Sequence, residues 1–117
     1  MARIATDETK KIARERWEDW CDTFTNGNAG RPISIEIVDN EEGAEALAED
    51  VAFVAIDFDP AGKGDDFVIS YGAEDTPTRH IVEAPVVLWQ GQDVNGRVVA
   101  LEIEDEEGGH AIVTLGS

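Results

Sequence analysis

Trp17-Glu18-Asp19-Trp20-Cys21-Asp22-Thr23-Phe24, then Gly30-Arg31-Pro32, then Ile33-Ser34-Ile35-Glu36-Ile37-Val38 is the stretch in which the hydrophobic rhythm of the chain changes. Before the turn, Ala13, Trp17, Trp20, Cys21 and Phe24 recur at three- and four-residue spacing, which lays one apolar stripe along a helix. The stripe predicts a helix over about residues 7–24. Thr6 or Asp7 would cap it, Asp7 and Glu8 suit the positive end of its dipole, and Asn26-Gly27 would stop it. After Pro32 the isoleucines alternate with Ser34 and Glu36, the period of a strand with one buried face. Further strands are expected over residues 51–58, 67–71, 80–89, 98–104 and 110–115, separated by turn-rich segments short enough for antiparallel neighbours. Pro85 cannot donate a ladder hydrogen bond, so it should sit at an edge or bulge. Residues 41–50 stay open between helix and strand, because Ala44, Ala46, Leu47 and Ala48 favour a helix while the alternating acids tolerate an edge strand. The expectation is an α+β fold, an N-terminal amphipathic helix packed on an antiparallel sheet of five to six strands over about residues 32–116, as a meander or small open barrel. Residues 1–117 are read as a single domain.

The chain has 117 residues, 42% of them hydrophobic, enough for a core without metal or disulfide staples. Cys21 is the single cysteine and has no partner for a disulfide. No stretch resembles a signal peptide or approaches the roughly 20 apolar residues that span a bilayer, so the reading is cytoplasmic, neither exported nor integral. Charge is more informative: 26 Asp and Glu against nine Lys and Arg give a net charge of −17. Five of the nine cations, Arg3, Lys10, Lys11, Arg14 and Arg16, lie in residues 1–16. A chain so poor in cations has little to offer a phosphate backbone, which argues against direct nucleic-acid binding and against adhesion to anionic membranes. Three causes fit the acidity. It is an adaptation to concentrated salt, a face presented to a basic partner, in imitation of nucleic acid or otherwise, or a means to solubility.

Trp17-x-x-Trp20-x-x-x-Phe24, Asp59-Pro60, His80-Ile81-Val82-x-x-Pro85 and Leu101-Glu102-Ile103-x-Asp105-x-x-Gly108 together resemble the bacterial family of domains of unknown function 5335. The resemblance covers most of the chain. It implies a small α+β fold, brings no known chemistry, and gives no functional residues to carry over. The extra acids and Ala61-Gly62-Lys63-Gly64 are departures from it.

Among chemical motifs, Asp57-x-Asp59-x-x-Gly62-x-x-Asp65 overlaps an EF-hand calcium loop, but Ala61 and Val68 stand where ligands belong. Asp57, Asp59 and Asp65 are therefore at most a weak divalent-cation site, and an acidic turn is the simpler reading. His80 and His110 fall outside any compact metal pattern, and strand alternation would put Glu83 on the face opposite His80. Both histidines read as structural or solvated. Cys21, inside the apolar stripe, reads as a small buried hydrophobe. Ser34 and Ser70 lack a nucleophile elbow, and no glycine-rich loop precedes a helix. Lys10, Lys11 and Arg14 form the one basic neighbourhood, an exposed face or a dock for an anionic partner. Trp89 beside Pro85 is a candidate anchor for a partner, and an unpaired strand edge, above all the one ending at Leu115, a candidate for self-association. The reading that results is a non-enzymatic accessory or protein-interaction module adapted to high salt, with no cofactor. Its alternatives are an acidic protein engaging a basic partner and a weak cation binder.

Overall fold

In a computed structural model, which describes residues 8–39, 41, 43–59 and 65–116, an eight-stranded antiparallel sheet accompanies one α-helix. The elements run β1 (Glu8–Lys11), a 3₁₀ turn (Arg14–Arg16), α1 (Trp17–Asn28), β2 (Pro32–Asp39), β3 (Gly43–Phe58), β4 (Phe67–Gly72), β5 (Pro77–Val82), β6 (Pro85–Gln92), β7 (Val98–Asp105) and β8 (His110–Leu115). The α+β expectation holds at that level, with two corrections. The sheet has eight strands where five to six were expected, and the helix is internal, beginning at Trp17 after a strand.

Both corrections have local causes. Glu8–Lys11 pairs with the outer side of β6, Lys11 opposite Trp89, so tertiary pairing makes a strand of four polar residues. The helix starts late because Ile12 donates its N–H to the Leu88 carbonyl at 2.9 Å and accepts the Trp17 indole N–H at 2.9 Å. It also runs through Asn26-Gly27, and the left-handed residue that ends the turn is Gly30, φ +92°. The segment expected as one strand over residues 80–89 is two, β5 and β6, divided at Glu83-Ala84 where Ala84 has φ +51°. Pro85 opens β6 beside a bulge, as its missing N–H requires. Residues 43–50 are strand: β2 pairing overrides the helical preference of the alanines.

The sheet order is β1-β6-β7-β8-β2-β3-β4-β5. Strands β2 to β5 and β6 to β8 are thus two meanders, joined because the last strand pairs with β2. The edges are β1 and β5, so β8, ending at Leu115, is an interior strand and not the free edge expected from sequence. β3 connects two parts of the sheet, residues 43–52 pairing with β2 and residues 53–58 with β4. Its bend is a bulge in which Asp50, φ +52°, donates its N–H to Ser34 Oγ at 3.1 Å.

One core gathers Trp17, Cys21 and Phe24 of α1 with inward residues of seven strands, among them Ile35, Phe53, Phe67, Val82, Leu88, Ile103 and Val113. Trp17 is 1% exposed and meets Phe58 edge-on, ring centroids 5.2 Å apart. The helical stripe thus serves packing. Among the described residues no helix is long and apolar enough to cross a membrane.

Candidate functional site

Val82 and Pro85 are separated by two residues, although β5 and β6 stand far apart in the sheet order. The link therefore holds the two meanders together at one point. There the Glu106 N–H donates to the Ala84 carbonyl at 3.0 Å, tying the β7–β8 turn to the link. That turn is braced from within. Asp105 Oδ1 accepts the N–H groups of Glu107 and Gly109, both at 2.9 Å. At Gly109 a Cβ would lie 2.9 Å from Asp105 Oδ2, so a larger residue there would push aside the carboxylate that braces the turn.

Between the link, the turn and the end of β2 lies a cleft of about 600 Å³, lined by residues 37–39, Glu41, residues 80–84, 105–107 and 109–111. Asp39, Glu41, Glu83, Asp105, Glu106 and Glu107 line it, with both histidines and, among the described residues, no Lys or Arg. Six carboxylates in one concavity attract a cation and reject an anion, and low-dielectric walls concentrate that field.

The histidines reach the cleft from two different strands. His80, in the middle of β5, faces the core side of the sheet, opposite Ile69. Burial disfavours its charged form and lowers its pKa below the usual histidine value. His110 opens β8, and its Nδ1 lies 2.7 Å from Glu102 Oε2, an ion-pair contact when the ring is protonated. Glu83, one residue past the end of β5, lines the same cleft as His80. β5 ends at Val82, and beyond that residue the alternation of a strand no longer applies.

Other sequence candidates lie elsewhere. Asp57 is exposed on β3 opposite Val68, and the Asp59 N–H donates to the Asp66 carbonyl at 2.8 Å, closing the β3–β4 hairpin. Asp65 is 3.4 Å from Arg14 Nη2, while residues 60–64 of the calcium-like loop lie outside the described residues. Among the described residues no three His, Cys, Asp or Glu side chains are arranged to hold a metal. Arg14 is engaged internally as well: its guanidinium lies 4.8 Å from the Trp17 ring centroid and Nη1 donates to the Pro85 carbonyl at 3.4 Å. Lys10 and Lys11 point to opposite faces of β1, and Lys11 neighbours Trp89, which is 36% exposed. Cys21 is 1% exposed, and burial, then the charges of Asp57, Asp22 and Glu18, pushes its thiol up to about 12. At neutral pH it is a thiol without nucleophilic character.

Sequence reasoning did not single out Asp39, Glu41, Glu83 or residues 105–107 as a site. The signal available was the acidic turn just ahead of His110; what brings it to the end of β2 is the β2–β8 pairing.

A curated relative from Aquifex aeolicus (strain VF5), described as an uncharacterized protein, is 25% identical over 107 residues, covering 92% of this chain and 91% of that one. No solved structure matches the chain. Residues 8–117 match the family described as "Family of unknown function (DUF5335)", and this chain belongs to that family.

Proposed function

We propose that this chain is a single cytoplasmic, non-enzymatic binding domain that takes a Lys- or Arg-bearing segment of a protein partner into the cleft between the β5–β6 link and the β7–β8 turn. The observation that carries the reading is the lining itself, six carboxylates and, among the described residues, no Lys or Arg. A guanidinium or ammonium entering there gains charge-assisted hydrogen bonds. Acidity over the rest of the surface steers a basic partner toward the molecule, and in concentrated salt it keeps the domain dispersed.

Calorimetric titration with an oligo-arginine peptide tests this. Replacing Glu106→Gln and Glu107→Gln together should weaken binding by about tenfold at moderate ionic strength, since two of the six site charges are lost. The exposed pair Glu45→Gln and Glu49→Gln on β3, outside the cleft, should leave it nearly unchanged. Equal losses from the two pairs would reduce the attraction to net charge alone and reject the cleft.

A further inference from the structure

Strand β5 is an edge of the sheet: it pairs with β4 and, among the described residues, with no strand on its other side. Its outward backbone groups form a template for another strand. The composition of this edge departs from the rest of the molecule, for Pro77-Thr78-Arg79-His80-Ile81-Val82 holds no carboxylate in a chain where 26 of 117 residues are acidic. Ile81 is 52% exposed, and Val86, just past the link, is 47% exposed. Arg79 is exposed and has no ion pair among the described residues, and Glu83, also exposed, follows four positions later.

We propose that β5 pairs antiparallel with β5 of a second copy of this chain, about a two-fold axis through Ile81. That register places Arg79 opposite Glu83 of the second copy, and the reverse, with His80 opposite Val82. Arg79 and Ile81 alternate onto the face away from His80 and Val82, and Glu83 follows one residue past the end of the strand, within reach of the long Arg79 side chain of the second copy, so two Ile81 side chains meet between two reciprocal charge pairs. Centring the axis on Arg79 brings two guanidinium groups together, and centring it on His80 leaves Arg79 opposite Ile81. Among the symmetric registers confined to residues 77–83, the Ile81-centred one sets opposite charges face to face. An edge free of carboxylates is also where two chains of charge −17 approach at least electrostatic cost.

Sedimentation equilibrium on the full chain, over a wide concentration range, reads this directly. The wild type should show a monomer–dimer equilibrium. Arg79→Glu, which sets like charges opposite one another, should weaken it by at least about tenfold. The exchange Arg79→Glu with Glu83→Arg should restore it, and Ile81→Lys should abolish it. The three positions changed, Arg79, Ile81 and Glu83, are exposed, and unchanged melting of the dilute variants verifies their folding. A chain that stays monomeric up to its solubility limit overturns the proposal, as does a dimer indifferent to Arg79→Glu and Ile81→Lys or a charge exchange that fails to restore it. Ile81 and Glu83 also line the cleft, so the two readings are told apart by Glu106→Gln with Glu107→Gln, which should leave the dimer unchanged, and by Arg79→Glu, which lies outside the cleft and should leave peptide binding nearly unchanged.

Discussion

The Thr25 hydroxyl of α1 closes both hydrogen-bonding positions of a single residue, Ile56, accepting its N–H at 3.0 Å and donating to its carbonyl at 3.1 Å. This half of β3 has β4 on one side and no strand on the other, so without the helix those groups of a buried residue would be unsatisfied. Phe53 is served in the same way, by Gly30 and Arg31, each at 2.8 Å. The end of α1 and the turn after it therefore do the work of a missing strand.

Thr25→Val keeps the shape and removes both bonds, and it should cost about 1–3 kcal/mol, the penalty for leaving buried backbone polar groups unpaired. Denaturant unfolding would show a lower midpoint with an unchanged slope. Thr25→Ser should retain most of the stability, and equal losses in the two variants would mean that the methyl, not the hydroxyl, is what matters.

Burial lowers the His80 pKa below its usual value of about 6.5, so the unfolded chain takes up that proton more readily than the folded one. The contribution of neutral His80 to stability is full above the unfolded pKa and is lost as pH falls through the lower folded value. Acids titrating at the same time also change stability, which makes the difference from His80→Gln the informative quantity. The wild type should lose ground to His80→Gln between pH 8 and the lower end of the histidine range, measured as melting temperature. A constant difference across that range contradicts a desolvated imidazole.

The helix stripe was legible because Trp17, Cys21 and Phe24 face one core and their spacing records it. β1 was not, because Glu8-Thr9-Lys10-Lys11 has no apolar rhythm and is made a strand by β6. Asn26-Gly27 looked like a stop, yet Asn28 holds the last turn with its side-chain amide on the Phe24 carbonyl at 2.9 Å. The division at Ala84 was hidden because alanine gives no local sign of a left-handed backbone. Most of the cleft was hidden for a topological reason. Residues 37–39, Glu41, residues 80–84, 105–107 and 109–111 meet only once β8 has returned to β2, a pairing between strands distant in sequence that no local pattern encodes.

Nine Lys and Arg cannot pair 26 carboxylates, and exposed acids lie on α1 (Glu18, Asp19, Asp22), on β3 (Glu45, Glu49, Asp50) and in turns (Glu74, Asp75). Their repulsion opposes the compact state and is screened within roughly 3 Å at about 1 M salt. The melting temperature should rise by roughly 10 °C or more between low and molar sodium chloride. A flat response would remove salt adaptation as the cause of the acidity.

The cleft is tested most directly by mapping amide shifts in ¹⁵N-labelled protein during titration with an oligo-arginine peptide. Shifts should concentrate at residues 37–39, Glu41, residues 80–84, 105–107 and 109–111, saturating together with one affinity. Shifts spread in proportion over the acids of α1 and β3, or none at the β7–β8 turn, would contradict binding in the cleft.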